Sequence, residues 1–349
     1  MKKFITSLAS TALLLSATPV IAQTEDNTDS QDDFSVVMIS SAENFRGDSF
    51  VSIALEGLYK YGADNNMETG PGGFEFKPNM NEQSFFSAFQ QAIDEDYELI
   101  IGLADNTKEP LEEFANTFPD RNFLLVDSVS ELDNVASATF KDYEAAYLAG
   151  IAAASETASD HIGFIGGFDN EVVNSFEQGF IAGAKEINPD IVIESKYLNF
   201  FDDEAGGYEA AREMYAGDAD IIFHAAGAAG YGVFEAARDQ KIENPDKGIY
   251  VIGADYDQTS VGQFEIDGND YSLTLTSTLK HVDKAVYELT ELAANGELEA
   301  REYEYGMENG GVDIAEGQLS GETLDLISDY RDQMQAGELD VSDIVFGNE

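Results

Sequence analysis

Short runs of consecutive apolar residues alternate along this chain with longer stretches in which apolar residues recur every three or four positions. A strand covered on both faces has no wet side and so reads as a continuous apolar run, as parallel strands do. By that criterion strands are predicted at Ser35–Ile39, Phe74–Lys77, Glu98–Leu103, Asn122–Val126, Val135–Thr139, His161–Ile165, Val192–Lys196, Ile221–His224, Gly248–Ile252 and Ser272–Leu275. The helical spacing of Val172, Phe176, Phe180, Ala184 and Ile187 predicts a helix over Glu171–Ile187, stopped by Asn188-Pro189. Val282, Val286, Leu289 and Ala293 predict another over Lys280–Ala294, closed by Asn295-Gly296. At the start of the first helix Asp48 or Ser49 serves as N-cap, and Val51, Ala54, Leu55 and Leu58 form the buried face. Phe50 stands off that face, in the first turn.

Strands alternating with helices of this length imply doubly wound parallel sheets. In such sheets ligands bind beyond the carboxyl ends of the strands. That rule picks out Ser40, Ser41, Asp105, Asp127, Gly166, Gly167, the run Ala225–Gly227, Asp255 and Asp257. A ring at Phe50, beside one of these ends, can stack on a flat ligand.

Charge narrows the function further. Eighteen Lys+Arg face 68 Asp+Glu, a formal −50 over 349 residues. Nucleic acid is excluded as a partner, because phosphate contacts need a basic surface. At ~1 M salt the Debye length falls to about 3 Å, which screens repulsion between carboxylates. The melting temperature is therefore expected to rise from low salt to ~1 M NaCl; a flat or falling curve would speak against salt adaptation. There is no cysteine, so disulfides, thiolate chemistry and a cysteine-borne lipid anchor are excluded. His161, His224 and His281 lie far apart and match no metal-ligand pattern. No G-x-G-x-x-G, P-loop or G-x-S-x-G motif occurs, and no cofactor is expected.

The N-terminus carries an export pattern. Lys2 and Lys3 precede the apolar stretch Phe4–Leu15, which is too short to span a bilayer, and Val20-Ile21-Ala22 resembles a peptidase site. Cleavage after Ala22 would leave 23–33 as an acidic linker and place the protein in the periplasm.

Several ordered stretches carry a resemblance: GDSFVSIALEGL (47–58), FKDYEAAYLAGIAAA (140–154), GFIGGFDNEVVNSFEQGFIAGAKEINPDI (163–191), FDDEAGGYEAAREMYAGDADIIFHAAGAAGYGVFEAAR (201–238), VIGADYDQ (251–258) and LTSTLKHVDKAVYE (275–288). Together they resemble the basic membrane protein family of ABC-transporter substrate-binding proteins, whose best-understood members bind purine nucleosides. The resemblance implies an α/β type I periplasmic binding fold, with two Rossmann-like lobes joined by crossover strands. The expected lobes are 34–141 plus 278–305, and 142–277 plus 306–349. It implies a small nucleoside-like ligand held between the lobes, an inner-membrane ABC permease as partner, and a monomer.

Site roles follow from the same resemblance. Phe50 falls on the phenylalanine that stacks on the base, and Asp127 near an acid that contacts it. Gly227 belongs to a glycine stretch close to the ligand. Asp257 or Asp255 falls on the acid that accepts from the ribose hydroxyls, and Lys280 on the lysine of the sugar side. The chain departs from the family at Val51, where an asparagine is usual, and at Ser41, where an acid is usual. The family's second stacking aromatic has no assigned counterpart near Ala225. A nucleobase or another flat heterocycle is the alternative ligand, and a receptor module that presents ligand to a membrane sensor is the alternative role.

Overall fold

The computed structural model describes residues 34–41, 49–79 and 82–347. The export segment, the linker, Gly47 and Asp48 lie outside the described residues. Among the described residues no helix is long and apolar enough to cross a membrane.

The first half of the chain runs β1 (Val36–Ser41), α1 (Phe50–Asp64), β2 (Phe74–Asn79), α2 (Glu82–Asp94), β3 (Leu99–Leu103), α3 (Lys108–Thr117), β4 (Asn122–Val126), β5 (Val135–Phe140) and α4 (Asp142–Glu156). It continues through β6 (His161–Gly166), α5 (Glu171–Ile187), β7 (Val192–Tyr197), α6 (Glu204–Ala216), β8 (Ile221–Ala225), α7 (Gly230–Glu243) and β9 (Tyr250–Gly253). The last part holds β10 (Gln263–Ile266), β11 (Asn269–Ser272), β12 (Thr274–Lys280), α8 (Val282–Ala294), β13 (Glu302–Tyr305), β14 (Val312–Ile314), α9 (Gly321–Gln335) and α10 (Ser342–Phe346).

These strands build two six-stranded sheets, ordered β2-β1-β3-β4-β5-β13 and β7-β6-β8-β9-β12-β14. All pairs are parallel except β12 with β14. Both faces of each sheet are covered, which is why the strands read as unbroken apolar runs. In β1, Val36 and Met38 pack with Leu55 and Leu58 of α1 and Val286 of α8. Val37 and Ile39 point the other way, toward Phe89 of α2 and Leu111 of α3. The second sheet repeats the device, with Ile221 and Phe223 toward α4 and α5 and Ile222 toward α6 and α7. Helices α4 and α5 pack so closely that a Cβ at Gly183 would collide with the Tyr147 carbonyl. Glycine there allows the approach.

The chain passes between the sheets at 140–142, 280–282 and 305–307. The second passage comes later than expected. Residues 278–280 were expected in the first lobe, and Lys280 at the start of a helix. Instead β12 stays hydrogen-bonded to β14 through the register Lys280↔Val312, so these residues belong to the second sheet and α8 begins at Val282. The β10–β11 hairpin, turning at Asp267-Gly268, and the strands β13 and β14 were not predicted. The Asp-Gly turn was a readable hairpin signal. Strands β13 and β14 are only four and three residues long and depend on partners far away in sequence.

Candidate functional site

Each sheet has the order 2-1-3-4-5-6, whose switch point lies between its first and third strands. The chain turns sharply at the carboxyl ends around these points. Left-handed backbone occurs at Ala104 after β3 (φ 71°), Asp127 after β4 (φ 62°), Gly227 after β8 (φ 54°) and Asp255 after β9 (φ 70°). For a non-glycine residue this conformation is costly and clusters where function demands it.

Lys280, the last residue of β12, lies at the centre of these ends. It is buried, and its Nζ lies 3.0 Å from Asp127 Oδ1 and 2.8 Å from Asp142 Oδ2. Its backbone N–H donates to the Asp255 carbonyl at 2.9 Å. The rings of Phe50, Phe140 and Phe176 surround the ammonium, with centroids 5.5, 5.3 and 5.3 Å away. Asp127 comes from the first sheet, Asp255 from the second, and Asp142 from the first turn of α4, just past the first passage. One lysine thus joins both halves of the molecule.

Burial opposes charge on Lys280, but Asp127, Asp142 and Asp255 outweigh it and hold the ammonium above its ordinary value. Burial raises Asp142 well above the usual carboxylate range, with Asp127 and Asp255 adding to the effect and Lys280 opposing it. Asp255 is raised by burial too, against the pull of Lys280 and with help from Asp127. Its outer edge is still partly accessible. Three acids around one cation favour a partner that offers hydrogen-bond donors and disfavour an anion.

The structure therefore brings Phe50, Asp127, Asp255 and Lys280 together. Ser49 caps α1 and accepts from the Ser52 N–H at 3.1 Å, which fixes Phe50 at the helix start beside the end of β1. Ser41 is the last residue of β1, on the same rim. Gly227 opens the turn after β8, and Phe201 lies against it and against Gly167. Asp257 stays outside the group. It is exposed, and its carboxylate accepts from the N–H and hydroxyl of Thr259 at 2.9 and 2.6 Å.

Asp142, Phe140 and Phe201 carry no expectation from the sequence, and Phe176 is expected there only as part of the apolar face of its helix. The strand-end rule, applied to Val135–Thr139 as to the other strands, points at Phe140 and Asp142. Phe201 is 39% exposed at the end of the β7 loop. It supplies an aromatic surface beside the second sheet's switch point. His224, on β8 of the second sheet, is buried with Nε2 2.9 Å from Gln258 Oε1, and burial lowers its pKa to about 4.

The family model described as ABC transporter substrate-binding protein PnrA-like matches residues 34–342. The chain is 36% identical over 317 residues to the CD4+ T-cell-stimulating antigen of Listeria monocytogenes, covering 89% of each. It is 33% identical over 313 residues to the ABC transporter nucleoside-binding protein BmpA of Lactococcus lactis, covering 88% of this chain and 89% of that one. A solved ABC transporter solute-binding protein from Aeropyrum pernix matches with a TM-score of 0.73 at 22% identity, over 88% of this chain and 92% of that one. At that identity the likeness speaks for the fold, the type I periplasmic binding architecture. The chain belongs to the Bmp family of PnrA-like ABC transporter substrate-binding proteins.

Proposed function

We propose that this protein binds a nucleoside, a purine nucleoside first, between its two lobes, and delivers it to an inner-membrane ABC permease after export to the periplasm. The observation that carries the reading is the group at the carboxyl ends of both sheets. The Phe50 ring offers a stacking face, Asp127 offers a carboxylate anchored by buried Lys280, and Asp255, whose backbone carbonyl accepts from the Lys280 N–H, offers a second acid beside it. A base has a flat π-face and a ribose has paired hydroxyl donors, so the two kinds of group suit the two ends of a nucleoside. The printed name of the Lactococcus lactis relative supports the same ligand class. The group is suited to holding a molecule, and the family relationship speaks for a binding protein over an enzyme. Lobe closure about the three passages would enclose the ligand.

Mass spectrometry of small molecules released from the denatured, purified protein tests the reading directly. A nucleoside is expected. If ligand-stripped protein gives no calorimetric heat with any purine or pyrimidine nucleoside or base, the reading fails.

The two acids proposed for the ribose can be told apart. Asp255→Asn is expected to weaken nucleoside binding by about tenfold or more, the usual worth of a hydrogen bond to a charged group. A free base, which has no ribose, should be affected much less. Asp257→Ala should stay within about twofold of wild type, as surface changes do. Equal losses in the two variants would return Asp257 to the site.

A further inference from the structure

Asp142 is too deeply buried to be a ligand contact, at 2% exposure, yet it makes the shortest ion pair that Lys280 has. It sits in the first turn of α4, where the partial positive charge of the helix N-terminus favours a carboxylate. Its neighbour on the same helix, Glu144, is committed elsewhere and accepts from the Met307 N–H at 2.7 Å. Lys141 reaches Glu304 and Glu308, both at 3.3 Å. Asp142 is therefore the charged group of this helix that is directed to Lys280.

We propose that Asp142 is a positioning residue: it holds the Lys280 ammonium against the inner wall of the cleft, so that the ammonium engages one oxygen of Asp127 and leaves the other Asp127 oxygen and the Asp255 carboxylate to accept hydrogen bonds from the ligand. This rests on the reading of the cleft given above. A lysine ammonium has three N–H donors on a flexible stem. With Asp142 in place, one donor is spent on a group the ligand cannot reach. Without it, the ammonium turns fully to Asp127 and Asp255, the acceptors a ribose or base would need, and each must be released before ligand can bind. The same arrangement is expected to be dispensable for folding. Removing one acid lowers the excess of negative charge around Lys280 and leaves it two counter-charges, whereas a buried ion costs much when it is left alone. A residue kept for binding at no gain in stability is what a functional site shows.

Two variants test the inference, with calorimetry against inosine, adenosine, guanosine, uridine and adenine as probes. Asp142→Asn keeps the size and removes the charge. It is expected to melt at or above the wild-type temperature and to bind the best wild-type probe about ten- to a hundredfold more weakly. Asp142→Glu restores a carboxylate but crowds a packed site, so it should melt lower and bind closer to wild type than the Asn variant does. That crossed order is one a purely structural ion pair cannot produce. An Asn variant that binds as wild type does, or that is unfolded or clearly destabilised, would overturn the inference while leaving the ligand reading intact. If no probe binds the wild type, the ligand reading fails and this inference falls with it.

Discussion

Lys280→Met is expected to destabilise the protein by about 3–5 kcal/mol, the usual cost of leaving buried charges unpaired, and to abolish ligand binding. The substitution keeps most of the stem that packs among Phe50, Phe140 and Phe176, so the loss comes from the charge. It strands Asp127, Asp142 and Asp255 with no cation. The loss should depend on pH in a definite sense. Asp142 and Asp255 already titrate above the usual carboxylate range in the folded protein. A carboxyl raised in this way supports the fold while protonated and loses that contribution as pH rises through its folded value. Without the ammonium the values rise further, so protonation relieves the variant more than the wild type. The stability gap measured by urea unfolding should therefore be wider at pH 8 than at pH 5. An equal gap at both would mean that the acids are not sensing Lys280.

Phe50→Ala is expected to weaken nucleoside binding by about one to two orders of magnitude, since stacking a base on an aromatic ring is worth ~1–3 kcal/mol. The effect should extend to free bases, which separates it from Asp255→Asn, where the loss depends on ribose. Fold stability should change less than affinity, because Phe50 is half-buried and only edges the core of the first sheet. The chain contains no tryptophan, so calorimetry is the suitable readout. A variant that binds nucleosides as tightly as wild type would remove Phe50 from the site. Ser41 and Val51, where the chain departs from the family, would then be the next positions to vary.

Local pattern made much of the fold legible. Helix α5 was expected and found at Glu171–Ile187, and β4 at Asn122–Val126. Ser49, one of the two proposed caps, does cap α1. Such features depend on neighbours within a few positions: apolar spacing, a capping hydroxyl, an Asn-Gly stop. The strand-end rule also found most of the rim, since it needs only the strand positions and the parallel topology.

Other features depend on partners far along the chain. The strand-end rule points at Asp127 and Asp255 among 68 carboxylates, but nothing local shows that they share one lysine with Asp142. The pairing with Asp127 spans 153 positions and exists only once the two sheets are placed side by side. Asp255 and Asp257 are two residues apart and chemically identical. One sits in a left-handed turn whose carbonyl accepts from the Lys280 N–H, and the other is exposed and spent on Thr259. Lys280 itself is expected at the start of a helix, two positions before the apolar spacing that begins at Val282. Pairing with Val312 and the pull of buried acids keep it in the strand. By itself the sequence determined the alternation of most strands and helices, the doubly wound class and the family, because these follow from periodicity and ordered motifs. Which charges share the cleft was decided only by tertiary structure, because Coulomb energy and desolvation depend on distance and burial, and neither can be read along a chain.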